Sequence, residues 1–135
     1  MKKEFVPYEL AVKLKTLGFD EPCLGYYTHN EKLCSYGSNE INIEYLFCTH
    51  KDIYKTYSLA PTFSQVFRWF REKYNIHSFI IPLIDEVGFV YKYQARVHTK
   101  ESAVEIIGEF ETYEEAELAC LEKLIEIVEQ IKSKK

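Results

Sequence analysis

The stretch that decides the fold is residues 77–110, HSFIIPLIDEVGFVYKYQARVHTKESAVEIIGEF. Three strands can be read in it. His77–Ile84 is apolar at nearly every position, the pattern of a strand covered on both faces. Val87–Thr99 alternates, with Val87, Phe89, Tyr91, Tyr93, Ala95 and Val97 on one side and Lys92, Gln94, Arg96 and His98 on the other. Ala103–Phe110 gathers Val104, Ile106, Gly108 and Phe110 opposite Glu105 and Glu109. A turn at Lys100-Glu101 predicts one register for both faces. Val97 meets Val104 and Ala95 meets Ile106 inside, while Arg96 meets Glu105 and Lys92 meets Glu109 in water. Lys-Glu is poor chemistry for a two-residue primed turn, so a longer loop with the same register is expected.

Helices flank these strands. Upstream, Thr62 and Gln65 have the spacing of a capping box. Phe63, Val66, Phe67, Phe70 and Tyr74 then form one helical stripe. Downstream, Thr112 and Glu115 repeat the box, with acids in the first turn where the helix dipole favours them. Tyr113, Ala116, Cys120, Leu124, Ile127 and Ile131 make the next stripe, and Leu118, Leu121, Ile125 and Val128 widen it. An arc so broad is expected to meet another helix or a second subunit.

Residues 62–131 therefore read as α-β-β-β-α. Before them, Leu10, Ala11, Leu14 and Leu17 predict a helix from Pro7, closed by Gly18 in a left-handed turn with Phe19 behind it. Leu24–His29 and Leu33–Tyr36 flank a polar turn, which predicts a hairpin. Residues 41–47 alternate as a further strand, and 49–60 read as a connecting loop. The expected fold class is α+β, an antiparallel sheet with helices on one face. At 135 residues the chain is expected to be one domain, with residues 1–60 contributing a helix and short strands and 61–131 the core.

Composition narrows the function classes. An apolar fraction of 47% fills a core, but no run approaches the roughly 18 apolar residues of a membrane helix. The opening Met-Lys-Lys-Glu-Phe-Val-Pro lacks the apolar stretch of a secretory signal, so a cytoplasmic location is expected. Net charge is −4, and residues 111–130 hold seven acids against Lys123 alone. Binding phosphates needs clustered Lys and Arg, and such a cluster is lacking.

Several residues invite a chemical reading. Cys23, His29, Cys34, Cys48 and His50 could be taken as metal ligands, but no cysteine pair has zinc-site spacing. Any of the four cysteines could pair with a histidine as a nucleophile, yet nothing in the sequence joins them or supplies an orienting third group. No Gly-rich phosphate loop or nucleophile elbow is present. The sequence therefore favours a non-enzyme and assigns no catalytic residue, metal or cofactor.

Trp69 is more informative. On the helix from Thr62 it lies about 120° from the Phe stripe, beside Arg68 and Glu72. An outward Trp next to Arg has the composition of an interface hot spot. The competing reading buries it within the monomer. Eleven tyrosines add to the reading of a recognition surface.

Two resemblances accompany these readings. In topology alone, residues 62–130 resemble the double-stranded RNA-binding domain. That family opens its last helix with phosphate-gripping lysines, where this chain has Thr112, Tyr113, Glu114, Glu115 and Glu117. Across most of its length the chain is similar to small uncharacterised proteins of bacterial phages and conjugative elements. The residues are Phe5-Val6-Pro7-Tyr8-Glu9, Leu17-Gly18-Phe19-Asp20-Glu21-Pro22-Cys23, Ala60-Pro61-Thr62, Phe67-Arg68-Trp69-Phe70-Arg71-Glu72-Lys73-Tyr74 and Tyr113-Glu114-Glu115-Ala116-Glu117. This likeness implies a bacterial, cytoplasmic, accessory setting and brings no activity with it. The expected function is a non-catalytic accessory or interaction domain that binds another protein or its own copy. The alternatives are a nucleic-acid-associated domain using Lys92, Arg96, His98 and Lys100, and a small Cys/His enzyme.

Overall fold

The computed structural model describes residues 4–35, 47–101 and 104–134, and the chain divides into two compact units, 1–63 and 64–135.

In the first unit, α1 (Tyr8–Thr16) starts behind Pro7, which serves as the N-cap and not as the first helical residue. Gly18 has φ +97°, Phe19 N donates to Leu14 O at 2.9 Å and Gly18 N to Lys15 O at 3.1 Å. This is the Schellman close that Gly-Phe predicts. Strands β1 (Gly25–Tyr27) and β2 (Leu33–Ser35) form the expected hairpin. A 3-10 turn spans His50–Asp52. Residues 49–60 also contain β3 (Ser58–Ala60), which pairs antiparallel with β1 and corrects the reading of that stretch as a loop. Three residues are too few to show a period, so tertiary pairing alone makes the strand. The strand expected over 41–47 lies outside the described residues except for Phe47, which is exposed and in no strand. The buried Tyr27 hydroxyl donates to Val6 O at 2.7 Å and Val6 N to Pro61 O at 2.9 Å, fastening residues ahead of α1 to this sheet.

The second unit runs α2 (Phe63–Tyr74), β4 (His77–Ile84), β5 (Val90–His98), β6 (Glu105–Phe110) and α3 (Tyr113–Ser133), with α2 opening one residue before the boundary. The sheet is antiparallel in the order β4-β5-β6. Ala95, Ala116 and Cys120 are fully buried, and Phe67, Ile80, Tyr93, Ile107 and Phe110 pack around them. Residues of both helices thus meet the same face of the sheet. The overall class is α+β, as expected. The Thr112 hydroxyl accepts from Glu115 N at 3.1 Å, which makes half of the predicted box. Among the described residues no helix is long and apolar enough to cross a membrane.

Two expectations are corrected here. β4 is not covered on both faces, because Phe79, opposite Arg96, is 44% exposed. The register predicted for β5 and β6 also fails. Ala95 faces Gly108 while Arg96 faces Ile106, so a bulge leaves Ile107 as an extra residue. The bulge sends Ile107 into the core and Ile106 to the open face. Glu105 moves opposite Val97, with its carboxylate 3.6 Å from Lys123 Nζ on α3. Neither Arg96–Glu105 nor Lys92–Glu109 is a pair: Arg96 Nε donates to Gln94 Oε1 at 2.6 Å, and Lys92 is opposite Leu83. The broad arc of α3 is filled within the chain at Leu121, Leu124, Ile125 and Val128, all of them buried.

Candidate interaction surface

The proposed surface of Arg68, Trp69 and Glu72 is not brought out as a patch. Arg68 and Glu72 are exposed, whereas Trp69 is 6% exposed and belongs to the buried set. Its ring meets Phe70 and Tyr74 edge-on at 5.0 and 5.5 Å, and Lys73 Nζ lies 5.1 Å from its centroid. Val66 and Phe70 are fully buried, so the buried arc of α2 continues past Val66 to Trp69. A helical wheel centred on the Phe residues misses this shift.

What stands exposed is the sheet of the second unit. Its open face carries His77, Phe79, Ile81 and Leu83 from β4, Lys92, Gln94, Arg96 and His98 from β5, and Ile106 from β6. Ile106 is 57% exposed. A second bulge, between Leu83 and Ile84, takes the hairpin tip out of the core pattern. Val87, Phe89 and Tyr91, expected on the buried side, are exposed together with Ile84 and Val90. Sequence reasoning missed this surface because alternation reports which residues share a side, and says nothing of where the covering layer ends.

The tip is built, not slack. Asp85 N donates to Phe89 O at 2.9 Å, and Gly88 N to Asp85 O at 3.1 Å. The Asp85 carboxylate accepts from Val87 N at 3.0 Å and Phe89 N at 2.9 Å. Gly88 sits at φ +95°, where a Cβ is strained. These bonds fix a turn that holds Val87 and Phe89, 77% and 71% exposed, out in water.

The Cys and His residues of the first unit do not converge. Cys23 and Cys48 face each other across a backbone bridge, both buried, and Cys34 lies opposite Tyr26. Burial pushes the Cys48 thiol up to about 11, and that of Cys120 in the second unit to about 11. Neither is an activated nucleophile. His29 stacks on Tyr57, which also stacks on Tyr26 and meets Tyr54 edge-on. A cavity of about 420 Å³ opens among Tyr26, Tyr54, Tyr57 and Lys51. The Lys15 ammonium donates to Tyr57 O at 2.6 Å and to Lys55 O, holding this loop against α1.

His50 resembles half of a catalytic dyad, with Nδ1 3.1 Å from Asp20 Oδ1. Its other nitrogen is already used, since Leu59 N donates to Nε2 at 3.2 Å. The ring is therefore neutral, with its proton on Nδ1, and it joins the 3-10 turn to β3. Burial lowers its pKa and Lys15 adds to this, against the opposing pull of Asp20. Among the described residues no group of three His, Cys, Asp or Glu side chains is placed to hold a metal. Comparison with known proteins finds no matching family model, no matching curated protein and no matching solved structure.

Proposed function

We propose that the protein is a non-catalytic accessory domain that binds another protein through the open face and hairpin tip of the β4-β5-β6 sheet. One observation carries this reading: among the described residues, eight large apolar side chains of this sheet and its loops are exposed, from Phe79 to Ile106. Exposed apolar surface on a folded domain marks an interaction site. The bacterial, cytoplasmic setting implied by the likeness to phage and conjugative-element proteins fits such a role. The test is affinity capture by the wild type and by a Phe79→Ser/Ile106→Ser variant, with circular dichroism confirming the variant's fold. A stoichiometric, nuclease-resistant protein partner held by the wild type and lost by the variant supports the reading. Equal capture by both sinks it.

A nucleic-acid reading gains one observation. Arg96 is free of Glu105 and lies between Phe79 and Ile106, a cation beside an exposed aromatic ring. Single strands bind such surfaces by stacking and charge. Glu109 beside Gln94 and the acids Asp85 and Glu86 at the tip oppose it. Salt-sensitive binding of labelled single-stranded RNA at low ionic strength, weakened by Arg96→Ala, would favour this second reading over the first.

A further inference from the structure

We infer that the Asp85–Phe89 turn is a preformed anchor that inserts Val87 and Phe89 into an apolar pocket with a cationic rim on a different protein. This deepens the interaction reading and rests on it.

Two observations carry the inference independently. One is preorganisation. Four hydrogen bonds lie within five residues, two of them to the Asp85 carboxylate. Gly88, at φ +95°, completes the turn. Asp85 is thus spent on the loop's shape, and that shape serves no core, since Val87, Gly88 and Phe89 are all exposed. Holding two apolar side chains rigidly in water is of use when something else buries them, because ordering is then complete before binding. Buried aromatic anchors are also the residues on which binding energy concentrates.

The other observation is charge, which selects the occupant. Glu86 is exposed within the turn, and Asp85 lies beside it. No Lys or Arg occurs between residues 74 and 91. Two tips packed about a twofold axis would set Glu86 against its own copy, which disfavours self-association here. An anionic bilayer would be repelled by the same acids. An apolar pocket bordered by Lys or Arg satisfies both the apolar anchors and the carboxylates.

The experiment places a photoreactive benzoyl-phenylalanine at position 87 or 89, at 79 or 106 on the open face, and at 54 as an exposed aromatic control. The full-length chain is irradiated in the cells that encode it. The inference expects a protein adduct from 87 and 89 and none from 54, with the adduct mapping to an apolar peptide flanked by Lys or Arg. That protein, purified, should bind the wild-type chain. Phe89→Ala should weaken binding about 30- to 100-fold. Asp85→Ala, which keeps both anchors but frees the turn, should weaken it about tenfold, while Arg68→Ala should change it less than about threefold.

Adducts from 79 and 106 alone would overturn the anchor and leave the interaction reading standing. A lipid adduct, or an adduct of twice the chain's mass, would overturn the inference in favour of a membrane or a second copy. No adduct from any of the four positions would overturn both readings. Phe89→Ala binding as tightly as wild type would overturn the anchor even with an adduct in hand.

Discussion

Glu31 stands at φ +64°, the left-handed position of the β1–β2 turn, where Thr28 N donates to Lys32 O and Glu31 N to Thr28 O. The corresponding position of the β4–β5 turn is held by Gly88. An L side chain in that region is strained by roughly 1 kcal/mol or more, so Glu31→Gly should stabilise the protein by about 0.5–1 kcal/mol. Urea denaturation would show this as a higher midpoint with an unchanged slope, and a lower midpoint would contradict the turn. His50 makes the opposite kind of prediction. Leu59 N, donating to Nε2, holds the neutral form, and burial takes the pKa below the ordinary 6.5 against the pull of Asp20. The unfolded chain therefore takes up a proton at higher pH than the native one. This stabilisation is complete above 6.5 and is lost as pH falls from there toward the lowered native value. Thermal melts should show the decline, and His50→Gln should flatten it while costing about 1–2 kcal/mol at neutral pH. An undiminished decline in the variant would assign the pH dependence to another group.

At the scale of elements, the two bulges separate what alternation can show from what it cannot. The bounds of β4 at His77–Ile84 and the start of α3 behind Thr112 follow from apolar runs and capping chemistry, and both stand as read. The pairing of β5 with β6 does not, because one extra residue reverses the sides beyond it. The sequence offered Val104, Ile106, Gly108 and Phe110 as a consistent inward set. The structure keeps Gly108, opposite Ala95, and Phe110 inward and turns Ile107 in where Ile106 was expected. Isoleucine doublets leave such a choice open, since either residue can fill the core site. Alanine substitution distinguishes them. Ile107→Ala should cost about 2–3 kcal/mol as a core truncation, whereas Ile106→Ala should stay within about 0.5 kcal/mol. The reverse order in chemical denaturation would restore the unbulged register. The candidate surface was illegible for the same reason: Phe79, Val87 and Phe89 are apolar, and apolarity alone does not separate a core position from an anchor.

Across the whole molecule, buried aromatic and thiol side chains report on both units. Trp69 is the single tryptophan and is almost entirely enclosed, so its emission should be blue-shifted and resist acrylamide quenching. Trp69→Ala should cost about 3–5 kcal/mol, which makes it a stability substitution and a poor probe of binding. Cys48 in the first unit and Cys120 in the second are buried, and both thiols are pushed from 9.0 up to about 11. At pH 8 that shift alone leaves about a hundredfold fewer thiolates than in an unfolded chain. Since only the thiolate alkylates, neither should react with iodoacetamide at a measurable rate until its unit opens, while half-buried Cys34 should label first. Labelling the native chain in a series of urea concentrations, with peptide mass spectrometry to assign each site, gives an opening free energy for each unit. Coincident curves for Cys48 and Cys120 would mean that the two units unfold as one. Earlier labelling of Cys48 would mean that the α-β-β-β-α unit persists after the first has opened, as expected if the core of Ala95, Ala116 and Cys120 is self-sufficient. The strands described in the first unit, three residues each, make that second order the expected one. Labelling of Cys120 ahead of Cys48 would place the weaker unit on the other side of the Phe63–Ser64 boundary.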